Sequence, residues 1–338
     1  AMSNLHLTTY LDVDRPQLEQ FSVTVQASLT VDSSNAVACA ASARLWECLL
    51  EEHRLPYLLL RVADMRMTLG SKVTALSLYE ELQTMLNDPN LAHWIAQSRS
   101  SILAEAQRQL LSYKNNPSLG FSWSQRWRST IENDHTFPYC KLQRAQIVVI
   151  RDQWQNDRGS QEDFLNLHCL ETNVIEGTLE FDSPATAKLV KVGFFSETEP
   201  VDPIGGAALN EIFTFLKSDP PNLTVEAVCR LHATLMQTSR ILYTDMGSGR
   251  RLSYVNVGIT RQVSCVNVTA TLREYGMKIQ FCPSDEVEAE LATFCKRFND
   301  LVQQPDVDPF ASAAWISHVF ITIHPFEASF SSVFITLH

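Results

Sequence analysis

A histidine that ends an apolar run and is followed at once by proline is the residue of this sequence best placed to move a proton. In Ile321-Thr322-Ile323-His324-Pro325-Phe326-Glu327 the proline must stop any helix, because it disfavours helical geometry in the residue before it. An imidazole held on such a turn can take the proton of an attacking hydroxyl, since histidine ordinarily titrates near neutrality. Other chemistries find little support. The eight cysteines (Cys39, Cys48, Cys140, Cys169, Cys229, Cys265, Cys282, Cys295) are scattered without a CxxC or a cluster at metal-ligand spacing, and read as free thiols of a reducing compartment. Trp123, Arg126, Trp127 and Arg128 have the composition of a nucleic-acid stacking patch. A net charge of -11 and the shortness of the cluster favour inter-domain packing instead.

The elements that must position His324 are mostly helical. From about Ser33 to Tyr113, four segments carry apolar residues at three and four spacing, which predicts antiparallel helices with short connections. The stretch around Gly70 loosely resembles a tetratricopeptide unit, but its spacing does not recur, and an irregular bundle is the simpler reading. Residues 112–140, rich in Asn, Ser and Pro, mark a boundary between a domain of 1–140 and a second of 141–338. Thr224 reads as an N-cap of the helix that follows, and Ser284 as the N-cap of another. RLSYVNVGI and MKIQFC are the strand candidates, expected to form one small β-hairpin with a long loop. The last helix, 309–323, is expected to bury Phe310, Ala313, Ala314, Ser317, Phe320 and Ile321. The fold class is therefore mainly α.

With 45% hydrophobic residues in 338, the chain can bury a sizeable core without metal or disulfide. The acidic balance argues against nucleic-acid and anionic-membrane partners. The start lacks a basic and then apolar leader, so the expected location is intracellular, in the cytoplasm.

DPFASAAWISHVFITIHPFE resembles the segment of Fic-domain (Fido) proteins that leads into their active-site motif, HPFx[D/E]GN[G/K]R. The upstream order is similar too: LHATLM, then MGSGRR opening a flap, then IQFCPSDEVEAELATF. Thr172-Asn173-Val174-Ile175-Glu176-Gly177 is similar to the family's inhibitory motif [S/T]xxxE[G/N]. The resemblance covers residues 165–327. It implies transfer of AMP from ATP, with Mg²⁺, to a hydroxyl of a target protein, His324 acting as general base, and in some members removal of that AMP. It further implies that Glu176, between Thr172 and Gly177, disturbs the γ-phosphate seat and autoinhibits. The flap, placed at Tyr254, Val255, Asn256 and Val257, would hold a target segment by strand addition. Alternatively, Tyr254 and Val257 merely pack. A homodimer is compatible with the sequence.

The motif breaks after Glu327. Ala328 stands where the family has its acid, and Ser329, Phe330, Ser331 and Ser332 stand where it has Gly, Asn, Gly or Lys, and Arg. The groups that would cradle phosphates and hold Mg²⁺ are thereby replaced, which argues against ATP binding. Glu327 lies one place early for a metal ligand, though a loop of altered shape would bring it in. The expected activity is therefore absent or severely impaired. A non-catalytic scaffold, binding a partner through the helical N-terminal domain, is the alternative. So abrupt a change favours a splice or frame change over a natural pseudoenzyme whose tail covers the apolar face.

Overall fold

The computed structural model describes residues 21–115, 123–131, 183–192, 222–236, 240–245, 250–272, 277–304 and 309–327, with a few isolated positions besides. The chain divides into two compact units. The first takes Ala1–Ser122 and Met236–Asn267, the second Trp123–Leu235 and Val268–His338. The first division thus falls inside the polar stretch 112–140, and a later segment returns to the N-terminal unit.

In the first unit, α1 (Val23–Leu29), α2 (Ala36–Glu52), α3 (Pro56–Thr68), α4 (Lys72–Leu86) and α5 (Pro89–Asn115) follow one another. Their ends are set by local chemistry. The Asn35 side chain accepts hydrogen bonds from the Val37 and Ala38 amides at 3.1 and 3.2 Å and starts α2. Pro56 occupies the first turn of α3, where its missing N–H costs nothing. Gly70, between α3 and α4, takes φ +90 with no atom near its missing Cβ, so backbone conformation and not space requires glycine there. The four periodic segments read from the sequence coincide with α2 to α5, and their apolar faces meet around Trp46, Tyr57, Leu58, Leu59, Tyr79 and Leu82.

This core also holds charge. The Arg66 guanidinium forks onto Glu47 at 2.8 and 2.7 Å, and the Tyr254 hydroxyl donates to the same carboxylate at 2.5 Å. Arg66 lies 5.0 Å from the Tyr254 ring centroid. Tyr254 ends β2 (Arg250–Tyr254), which pairs antiparallel with β1 (Ile241–Asp245) in the register Ile241 to Tyr254. A short α6 (Arg261–Ser264) follows, with Asn256 donating from its amide to the Ser71 hydroxyl at 2.8 Å.

In the second unit, α7 (Ser183–Val192) precedes α8 (Val225–Leu235), which Thr224 caps as expected by accepting from the Ala227 amide at 3.1 Å. β3 (Thr269–Leu272) and β4 (Met277–Gln280) form the second hairpin, and α9 (Val287–Val302) and α10 (Pro309–Ile323) complete the unit. Phe294, Phe298, Trp315, Ile316, Phe320 and Leu231 share its core. Among the described residues no helix is long and apolar enough to cross a membrane.

Three expectations need correction. The two strand candidates do not pair with each other: each has its own partner, β1 for the first and β3 for the second, and the partners lack strong alternation. Ser284 is not the N-cap of α9, because it and the next two residues form a 3₁₀ turn and the cap position is Glu286. α10 buries Ala311, Ser312, Trp315, Ile316, Val319, Phe320 and Ile323, leaving Ala314 and Ile321 exposed; the Phe310 side chain lies outside the described set. The sequence of α10 is apolar on nearly every side, so periodicity alone does not mark the buried face.

Candidate active site

The end of α10 is built as a clamp. His324 takes φ 47, in the left-handed region that few non-glycine residues adopt, while its amide still bonds the Phe320 carbonyl at 2.9 Å. Proline at the next position forbids continuation, so the chain reverses there and Pro325 and Phe326 turn inward. Two rings fix the turn from different elements. The His324 imidazole stacks on Phe281, centroids 4.4 Å apart and planes within 14°, and Phe326 stacks on His232 at 3.7 Å and 3°.

Each partner is itself immobilised. Phe281 directly follows β4, and the next residue, Cys282, donates its amide to the Thr322 carbonyl at 3.1 Å, tying the hairpin exit to the last turn of α10. His232 is wholly buried on α8. That helix is held to α9 by Asn299, which accepts from the Leu223 amide at 2.7 Å and donates to its carbonyl at 2.9 Å. His324 is half-buried, with its ring anchored on one face by Phe281. Glu327, also half-buried, closes the turn.

Such an arrangement holds an imidazole for proton transfer. Its donor set does not fit a Mg²⁺–phosphate seat. Among the described residues no group of three His, Cys, Asp or Glu side chains can hold a metal ion. Glu327 is the one carboxylate carried by the turn, and the five sequence positions after it carry no acidic or basic side chain.

The other residues singled out from the sequence lie elsewhere. Thr172, Glu176 and Gly177 are outside the described residues. Tyr254, Val255 and Asn256 are buried in the first unit and Val257 is half-buried there. Their main chain is already engaged, with the Tyr254 amide bonding the Leu69 carbonyl at 3.0 Å and the Val255 amide bonding the Arg240 carbonyl at 2.9 Å. For Tyr254 the geometry is that of the packing alternative. The hairpin whose exit meets His324 is β3–β4. Phe281 and His232 were missed as positioning residues. The signals for them were an aromatic next to last in the MKIQFC run and a histidine on the apolar stripe of LHATLM.

The free thiols expected from the sequence are found at Cys39, Cys48, Cys229, Cys265, Cys282 and Cys295, while Cys140 and Cys169 lie outside the described residues. Burial pushes the Cys229 and Cys295 thiols up to about 11 and about 12, so neither is a ready nucleophile.

Comparison with known proteins gives a bounded answer. No curated protein matches the chain. Two solved structures of a Fic-1 fragment from C. elegans, one carrying a glutamate-to-glycine substitution, are similar over most of the chain. The substituted form shows 15% identity and a TM-score of 0.32, covering 92% of this chain and 81% of its own. The other form shows 12% identity and a TM-score of 0.28, covering 94% and 84%. Residues 222–328 match the Fic/DOC family, a segment that contains α8, both hairpins, α9, α10 and the His324 turn, and that stops one residue past Glu327. Over residues 222–328 the chain is a Fic/DOC-type segment.

Proposed function

We propose that the second unit carries the proton-accepting half of a Fic-type site for AMP transfer to a protein hydroxyl, and that the chain with its present sequence is inactive or severely impaired in that transfer. One observation carries the first part: His324 is fixed at a left-handed turn with one ring face on Phe281, while the following Phe326 is locked on His232. A base so held loses little orientational freedom when a hydroxyl approaches. The O–H proton passes to the imidazole, leaving the oxygen as nucleophile. The second part rests on the residues after Glu327, which offer neither the carboxylate nor the arginine that a triphosphate would need. Glu176 is proposed as the inhibitory residue on sequence similarity.

The same sequence break supports a second reading, in which the domain is a scaffold and the helical first unit binds the partner. Labelled ATP with Mg²⁺ separates the two. The experiment compares the present chain, a version with the family ending restored after Glu327, and each with His324→Ala. Transfer by the restored version that falls by about 10²- to 10⁴-fold with His324→Ala supports the catalytic reading. Silence of every version, even with Glu176→Gly added, supports the scaffold.

A further inference from the structure

Within the second unit a cleft of about 890 Å³ opens along the side of α10 and reaches Thr322, two residues before His324. One wall is the segment 123–130, which is pinned to β4 by a single isolated bridge. Gln125 bridges Ile279 in parallel, the Gln280 amide donates to the Gln125 carbonyl at 2.9 Å, and the Ser124 amide donates to the Lys278 carbonyl at 2.9 Å. Farther along, Trp127 donates its indole N–H to Glu286 at 3.2 Å, and Thr130 donates its amide to Glu290 at 3.1 Å and its hydroxyl to the same carboxylate. The nearby carboxylates are thus occupied by donors of the segment itself.

What remains uncompensated is positive. Arg126 and Arg128 line the cleft and are exposed, and among the described residues neither guanidinium makes an ion pair or hydrogen bond. His318 and Thr322 face them from α10. In a chain of net charge -11, two guanidiniums two positions apart over a hollow, unpaired among the described residues, are a local reversal of field. The spacing adds a constraint: in an extended segment, residues two apart lie on one face about 7 Å from each other. A second extended chain with acidic residues two apart presents carboxylates at that same interval.

We propose that this cleft binds an extended acidic peptide, two carboxylates pairing with Arg126 and Arg128 while an apolar side chain enters between Trp127 and the exposed side of α10. A mononucleotide fits less well. Trp123 and Trp315 are 8% and 6% exposed, and Trp315 is stacked on Phe294 at 5.8 Å, so they offer edges and no open face for a base. The cleft also runs along the side of α10 and not at its N-terminus, where backbone amides would receive phosphate. The proposal does not depend on transfer activity.

Fluorescence anisotropy of the full chain tests it, with a labelled, acetylated octapeptide alternating glutamate and leucine as probe. Binding should weaken as salt rises. It should fall at least about tenfold in the Arg126→Glu/Arg128→Glu double variant and keep part of its strength in Arg126→Lys/Arg128→Lys. Lys296→Glu, an exposed charge on α9 outside the cleft, should leave it unchanged. Because Arg126 and Arg128 are exposed and unbonded, the double variant should melt with the parent, and the binding comparison is made at a temperature where both are folded. Equal binding by the charge-reversed variant, equal binding of a glutamine-for-glutamate peptide, or displacement of the probe by equimolar AMP would each overturn the proposal.

Discussion

The two hairpins are alike in size and both antiparallel, yet they are put to opposite uses. β1–β2 ends on Tyr254, whose hydroxyl enters the Glu47–Arg66 ion pair and whose amide bonds Leu69, so the hairpin is part of the helical unit's core. β3–β4 is followed at once by Phe281, on whose ring His324 stacks. A strand that terminates in a buried, hydrogen-bonded phenol is spent on stability. One that leads into an aromatic face beside a half-buried histidine fixes a side chain that can exchange protons. Burial of the terminal ring's partner, and not the strand itself, separates structure from site.

The largest effect that sharpens this contrast is expected at Glu47. Its carboxylate is buried, which on its own raises its pKa, but the Arg66 charge and hydrogen bond and the Tyr254 hydroxyl hold it below the usual range. Glu47→Ala leaves a buried guanidinium without its partner and should cost about 3–5 kcal/mol in urea unfolding. The His324 turn belongs to the other compact unit, so the accessibility of its imidazole to diethyl pyrocarbonate should not change.

Next comes a pH effect within the same helical unit. Burial pushes the Asp64 carboxyl up to about 7, against the lowering by the Tyr79 hydrogen bond and the Arg61 charge. The folded state therefore binds a proton that the unfolded state releases near the ordinary aspartate pKa. Stability from this group is present below that value and is lost as pH rises toward 7. Asp64→Asn should remove the loss, gaining about 2–4 kcal/mol relative to the parent between pH 4.5 and 8 in paired denaturation curves. A stability difference between Asp64→Asn and the parent that stayed flat across this range would show that the carboxyl does not titrate there.

Smaller still is Tyr254→Phe, expected to cost about 1–3 kcal/mol because the ring stays and only a charge-assisted hydrogen bond goes. Phe281→Leu should cost about 1–2 kcal/mol, since a buried apolar group is kept. Yet it should raise the modification rate of His324, the signature that a stability residue such as Tyr254 would not show. If Tyr254→Phe changed that rate and Phe281→Leu did not, the assignment of the two hairpins would have to be exchanged.

Much of this architecture was legible in the sequence because its signals are local. Helices α2 to α5 follow from three-and-four spacing, the cap at Thr224 from one hydroxyl before an apolar run, and the reversal at His324 from the proline beside it. Pairing was not legible. Whether β2 meets β4 or β1 depends on contacts beyond the strands, and in β2 the deciding contact is with Glu47, 207 residues away from Tyr254. The buried face of α10 was hidden by its uniform apolarity. His232 and Phe281 were hidden for a related reason, because a ring that positions another ring has the same composition as one that merely fills a core.

The central claim is that the proton-accepting half of the site is intact and the phosphate-holding half is replaced. It is tested most directly by measuring labelled AMP incorporation into protein for the present chain beside the chain with the family ending restored after Glu327. The account predicts incorporation by the restored chain and none, or a trace, by the present one. Equal incorporation by both would contradict it.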